Sequence, residues 1–307
     1  MREESPVLSI VVPVYNGEEF IYETLQSLVV LSRVVDCEVI CQNALSTDGT
    51  GEIINKFCEG REKWYHYNER DSGQSEAINR GISRARGRWV TWLCADDIII
   101  PDLCHAIQEG DRMGADVVYG DVVFAMGQGV TPAIGTEICR PGSLSKSRLI
   151  IQQPGTCILR KVWEAVGGVN LRLNWSMDYD LFMCLESKHA LFHRSKRFVA
   201  VARIHKEAKT SSGSIKRLFE IWSIILRSHF RQPAYFKFRP YMVYLLEYII
   251  KNLEARDIKT REMTRLLGRL HTIFWVLAKP KEQFDIQERF NSSRQDLSPY
   301  IAMAGGA

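Results

Sequence analysis

Trp89-Val-Thr-Trp-Leu-Cys-Ala95, followed at once by Asp96-Asp97, is the stretch on which the fold turns. The run is short, apolar, rich in β-branched and aromatic residues, and preceded by Gly87-Arg88. That pattern predicts a buried parallel strand. In an open α/β sheet, ligands gather beyond the carboxyl ends of such strands. Two adjacent carboxylates in a partly dry crevice repel each other and lose hydration, so the site calls for a cation. Asp96 and Asp97 are therefore the first candidate site, with a divalent metal carrying a phosphorylated ligand as its occupant.

Working outward, further strands are predicted over 8–14, 37–41, 64–67 and 116–119. Between them, Ile21, Leu25, Leu28 and Val29, then Ile53, Ile54 and Phe57, then Ala77, Ile78, Ile82 and Ala85 keep helical spacing. Another helix is predicted over 102–113. Asn16, three residues before Glu19, reads as a capping box. Four β–α units in succession predict an α/β fold, a mostly parallel Rossmann-like sheet with helices on both faces. From 122 to 150 periodicity fades and Gly and Pro accumulate, which reads as loop with an edge hairpin. A strand and short helix follow within 153–168, a helix over 177–188 and a last strand over 198–203. After 213 the pattern is helical only, over 215–230, 241–253 and 261–277. We divide the chain into a 1–212 α/β domain and a 213–307 helical region.

The net charge of +4 gives no argument for nucleic acid. Basic residues concentrate between 188 and 239, which points to an anionic ligand or surface. The tail's basic and aromatic faces fit a peripheral contact with a bilayer. Eight cysteines, at 37, 41, 58, 94, 104, 139, 157 and 184, form no CxxC pair. They read as reduced thiols inside elements rather than a disulfide frame or zinc site. No signal peptide is read at the N-terminus, and no run reaches the ~18 to 20 apolar residues of a spanning helix. The expected location is cytoplasmic, at the inner face of the cell membrane if the tail contacts lipid.

Six segments occur in a particular order: Ser9-Ile-Val-Val-Pro-Val-Tyr-Asn-Gly17, Ser46-Thr-Asp-Gly-Thr50, Asp71-Ser-Gly-Gln-Ser-Glu-Ala-Ile-Asn79, Leu93-Cys-Ala-Asp-Asp97, Val117-Val-Tyr-Gly-Asp121 and Met177-Asp-Tyr-Asp-Leu181. In that order and spacing, over roughly 7–210, the chain resembles glycosyltransferase family 2. The resemblance implies a GT-A fold, an inverting mechanism and a nucleotide-sugar donor, UDP-linked by family habit. Asp97 would bind Mn²⁺ or Mg²⁺, hard cations that prefer oxygen. Asp96 would hold the ribose or share the metal. Neighbouring strand residues point to opposite faces, which suits one ligand and one helper.

The resemblance makes Asp178 the general base toward the acceptor hydroxyl, with Asp180 the rival. Residues two apart on a helix do not share a face, so only one reaches the acceptor. Pro13, Tyr15, Asn16 and Glu18 fall where the nucleotide base sits, and Asp71, Gly73, Gln74 and Asn79 on the next loop and helix. His205 matches the stretch that closes over the diphosphate. One departure stands out: where the family carries an acid for the uracil N3–H, this chain has Asn43, followed by Ala44 and Leu45. The Asn43 amide oxygen is still an acceptor, without the charge of a carboxylate. The Gln-x-x-Arg-Trp motif of processive members is absent, which implies transfer of a single sugar. The acceptor implied is a glycan or lipid-linked hydroxyl in cell-surface polysaccharide assembly. A nucleotide-sugar binding or scaffold protein of the same fold remains the alternative. No GxGxxG follows any strand, which argues against a dinucleotide oxidoreductase.

Overall fold

The computed structural model describes residues 5–127, 129–132, 151–205, 215–228, 245, 249 and 280–305. The predicted helices over 241–253 and 261–277, and Cys139, therefore lie outside the described residues, apart from the helical positions 245 and 249. The first half follows the sequence reading closely. Strands β1 (Leu8–Val14), β2 (Cys37–Asn43), β3 (Trp64–Asn68) and β4 (Trp89–Trp92) alternate with helices α1 (Ile21–Leu31), α2 (Thr50–Cys58) and α3 (Gln74–Ser83). These strands pair in parallel, in the order β3-β2-β1-β4. Every position of β1 and β2 is buried, as expected where helices cover both faces. Ile10 and Val12 join one core cluster with Leu25 and Leu28 of α1, whereas Val11 joins another with Ile78 and Ile82 of α3. The two-residue period of the strand thus feeds two cores.

The second half is mixed rather than parallel. After β5 (Ile98–Ile99) and α4 (Leu103–Met113), β6 runs from Val117 to Met126 and turns back into β7 (Gly129–Pro132). The predicted strand at 116–119 is therefore more than twice as long, and the predicted edge hairpin begins within it. Strand β8 (Cys157–Leu159) inserts between β4 and β6, antiparallel to both. Helices α5 (Arg160–Val166) and α6 (Met177–Ser187) lead to β9 (Phe192–Arg203), parallel to β6 and antiparallel to β5. All seven described cysteines are free thiols.

Helix α7 (Ile215–Ser228) packs on α6, and a final helix, α8 (Pro280–Met303), was not foreseen. Ile286, Phe290, Leu297 and Ile301 of α8 form one apolar stripe, buried with Ile98, Ile100, Val123, Phe198 and Val201. Burying each such side chain contributes ~1.5–3 kcal/mol. The polar faces of α8 dilute that stripe, so the sequence carries a weak signal there. Among the described residues, no helix is long and apolar enough to cross a membrane.

Candidate active site

Strand β4 stops at Trp92, three residues earlier than the sequence predicts, and 93–97 form a turn at the carboxyl edge of the parallel strands. The turn is anchored by Leu93 N–H to Val11 O (2.9 Å), Asp97 N–H to Cys94 O (3.1 Å) and Thr24 Oγ1 to Ala95 O (2.8 Å). This corrects the expectation that Asp96 and Asp97 diverge to opposite faces. Off the strand, a carboxylate oxygen of each and Cys94 Sγ lie within 4.8 Å of one another.

Asp97 is buried. Burial, then the charge of Asp96, push its carboxyl well above the usual range, against the pull of Arg203. Such a group gains from a bound cation. The two carboxylates suit a hard divalent ion, while the thiol of Cys94 is a soft donor that such an ion does not need. Asp96 is held on two sides. Arg203 Nη1 donates to its main-chain carbonyl at 2.9 Å, and His205 Nε2 donates to its Oδ2 at 2.9 Å. The His205 ring packs on Phe20, with centroids 4.6 Å apart. His205 therefore reaches the acidic turn, and Lys209 lies outside the described residues.

The loops after β1 and β2 are latched together. Asn16 N–H donates to Ser46 Oγ (2.9 Å) and its Oδ1 accepts Thr47 N–H (2.9 Å); Glu18 Oε2 accepts Gly49 N–H (2.9 Å). The predicted capping box is absent: α1 starts at Ile21, and no side chain caps its Phe20 N-cap. Asn16 sits at φ 48° and caps the neighbouring loop instead. Pro13 lies within β1, and Tyr15 is exposed at the edge. Asn43 is buried, and its Oδ1 already accepts Ser46 N–H (3.1 Å) and Ser46 Oγ–H (2.6 Å). Both lone pairs of that oxygen are used, so the expected contact to a uracil N3–H is not open to it.

Beyond β3, Asp71 Oδ1 accepts Gly73 N–H at 2.9 Å, and burial raises the Asp71 carboxyl. Gly73 has φ 134°, a region that favours glycine, and begins α3. The next two residues join two parts of the site. Gln74 Nε2 donates to Cys94 Sγ at 3.3 Å, and Ser75 Oγ donates to Leu173 O at 2.8 Å, with Met177 Sδ 3.3 Å away. The first turn of α3 thus touches the acidic turn and the start of α6 together. Asn79 does not belong to this group: both ends of its amide bond the main chain of Val169, at 2.8 and 3.0 Å. It is a structural clamp on the loop before α6.

On α6, Asp178 and Asp180 part company, as the helical spacing predicts. Asp180 is buried and bonded to Arg227 Nη2 (3.0 Å) and Asn170 Nδ2 (3.3 Å). Asp178 accepts Tyr179 N–H at 2.7 Å, and burial raises its carboxyl. Cys94, Arg203 and Glu220 were missed by sequence reasoning. Cys94 reads as one more apolar strand residue, Arg203 as a strand terminus, and Glu220 as one acid on a tail helix. Glu220 accepts the main-chain N–H of Asn174, Trp175 and Ser176 at 2.7, 2.9 and 3.0 Å.

Residues 9–158 match the family model described as Glycosyl transferase family 2. An uncharacterized glycosyltransferase of Rickettsia felis is 24% identical over 233 residues, covering 72% of this chain and 38% of that protein. Glycosyltransferase GlyG of Streptococcus pneumoniae is 34% identical over 123 residues, covering 38% of this chain and 39% of GlyG. The chain thus spans well under half the length of these two relatives. Among solved structures, S. aureus TarS 1-349 in complex with UDP-GlcNAc superposes with a TM-score of 0.56 at 18% identity, covering 97% of this chain and 86% of that one. The mannosyltransferase PcManGT of Pyrobaculum calidifontis, in complex with GDP-Man and Mn2+, gives 0.57 at 17% identity, covering 98% and 86%. These likenesses show the fold, which is GT-A. Residues 9–158, with their parallel sheet half and its acidic turn, belong to glycosyltransferase family 2.

Proposed function

We propose that the protein is a metal-dependent, inverting glycosyltransferase. It moves one sugar from a nucleotide diphosphate donor, UDP-linked by preference, to a hydroxyl of a glycan or lipid-linked acceptor in cell-surface polysaccharide assembly. The observation that supports this best is the first turn of α3, where Gln74 meets Cys94 and Ser75 meets Met177. It brings the start of α6, with Asp178, to the same edge as Asp96 and Asp97.

In this reading Asp97 holds Mn²⁺ or Mg²⁺, with Asp96 beside it. When bound, such an ion supplies Lewis-acid stabilisation to a departing diphosphate. Asp178 takes the proton of the acceptor hydroxyl as its oxygen bonds the anomeric carbon and the bond to the diphosphate breaks. Its raised basicity, caused first by burial, suits that task. A single displacement inverts the anomeric centre; retention needs a second nucleophile. Tyr15, Gly73 and Gln74 line the approach to the acidic turn, with Asp71 fixing Gly73, and His205 orients Asp96. Residues 1–212 form the catalytic unit and 213–307 a second region, whose helices α7 and α8 pack on that unit, working at the inner face of the membrane.

The closed-off amide oxygen of Asn43 favours a second reading, a nucleotide-sugar binding or scaffold protein of the same fold. One experiment separates the two. UDP-N-acetylglucosamine, UDP-glucose and GDP-mannose are screened with Mn²⁺ for thermal stabilisation and nucleotide release. Cation-dependent release that Asp97→Ala abolishes supports the enzyme; stabilisation without release supports the scaffold.

A further inference from the structure

A helix opened by serine ordinarily uses the serine oxygen to satisfy its first unpaired N–H groups. Helix α6 does not. Ser176 is its N-cap residue, yet its buried Oγ has no hydrogen-bond partner among the described residues. The donors go to another helix instead. Glu220, in the middle of α7, accepts N–H from three consecutive residues, Asn174 (2.7 Å), Trp175 (2.9 Å) and Ser176 (3.0 Å). A carboxylate bound by several N–H groups makes charge-assisted bonds that are shorter and stronger than neutral ones. It also places a negative charge at the positive end of α6.

The clamped segment runs directly into Asp178 and lies beside the first turn of α3, whose Ser75 holds Leu173 O. We propose that Glu220 is a positioning residue for Asp178: from α7 it clamps 174–176 and so fixes the first turn of α6 on which that carboxylate stands. The inference rests on the assignment of Asp178 as the base, and extends it to a group that touches no substrate.

Electrostatics give the clamp a measurable signature. Burial raises the Asp178 carboxyl and the Glu220 charge adds to that, while Tyr179 N–H and Arg217 pull it down. Glu220 also occupies N–H groups that would otherwise be free near the helix start. Removing its charge should therefore make Asp178 a stronger acid.

The test uses the full chain with ¹³C-carboxyl aspartate, the Asp178 resonance being assigned by comparison with D178N. In E220Q the midpoint should fall. Amides of 174–176 should exchange at least about tenfold faster in hydrogen–deuterium exchange, while those of the β1–β2 core are unchanged. Either readout unmoved in a folded E220Q overturns the clamp. If E220Q fails to fold, E220D carries the exchange test: it keeps the charge but retracts the oxygens, so 174–176 should still lose protection, and full protection overturns the proposal. Nucleotide release from UDP-N-acetylglucosamine or GDP-mannose with Mn²⁺ separates this inference from its foundation. Release by D178N equal to the parent protein removes the base assignment and this inference with it. Loss of release in D178N beside an unmoved E220Q resonance removes only the clamp.

Discussion

Arg203 donates to the main-chain carbonyl of Asp96 at 2.9 Å while its other terminal nitrogen reaches Met303 O at 2.5 Å. One buried guanidinium thus ties the acidic turn to the end of α8. Arg203→Met leaves the Asp96 carbonyl without this charged donor, a loss of ~1–3 kcal/mol. We expect a lower melting temperature and weaker Mn²⁺ binding, read by thermal melting and by electron paramagnetic resonance of the free ion. Unchanged Mn²⁺ affinity would show that the turn holds its shape without Arg203.

Asp97 makes the stability of the metal-free protein depend on pH. Its folded carboxyl is a weaker acid than in the unfolded chain, through burial and then Asp96. The folded state therefore holds a proton that the unfolded state has already released. Stability must fall as pH rises from the ordinary carboxylate range through the raised folded value. Asp178 contributes with the same sign. In EDTA, Asp97→Asn should flatten this decline and melt higher than the parent protein at neutral pH. Mn²⁺ should raise the melting temperature of the parent protein and not of the variant.

Asp178→Asn and Asp180→Asn should behave oppositely. The first should cut sugar transfer by ~10²–10⁴-fold, with donor affinity kept within a few-fold in calorimetry. The second loosens the contacts to Arg227 and Asn170. Arg227 is largely exposed, so the stability change should stay near 1 kcal/mol or below, with transfer largely preserved. A variant pair that lost transfer equally would undo the assignment of the base.

Leu45 occupies φ 56° and is 43% exposed. A left-handed conformation costs a residue with a Cβ ~1–2 kcal/mol, and little apolar burial compensates here. Leu45→Gly should stabilise the protein by ~0.5–1 kcal/mol after the added freedom of glycine in the unfolded chain is counted. Urea titration measures it; a destabilisation would mean that the leucine side chain has a contact that outweighs its backbone.

Ile215, Phe219 and Leu226 present exposed apolar groups along α7, with the exposed Lys216 and Arg227 beside them. If this face meets an anionic bilayer, Phe219→Ser should halve co-sedimentation with phosphatidylglycerol vesicles while leaving nucleotide release intact. No sedimentation by the parent protein would dismiss membrane contact through α7.

The parallel half of the sheet was legible because its signal is local. Seven consecutive apolar or neutral positions in β1, and helical spacing at Leu25 and Leu28, need no distant partner to be read. Asp96 and Asp97 were legible as chemistry, since adjacent carboxylates after an apolar strand are costly without a ligand. Their geometry was not, because the strand ends at Trp92 for tertiary reasons: Thr24 and Arg203 take the carbonyls of Ala95 and Asp96. Asn43 and Asn79 fall at positions that the family resemblance assigns to the ligand. The structure uses them on Ser46 and Val169, partners that depend on how loops fold back. Glu220 was invisible for the same reason, since it acts forty-four residues from Ser176 in the chain. The three-residue β8 is too short for any period to declare itself.

The place of β8 also bears on how the molecule is made. It joins β4 to β6, so among the described strands the two halves of the sheet meet through residues 157–159. During synthesis the first four strands can assemble alone, leaving one edge of β4 bare until that short segment emerges. A ribosome stalled before residue 157 would hold a sticky nascent chain, and chaperone capture should be strongest at that length.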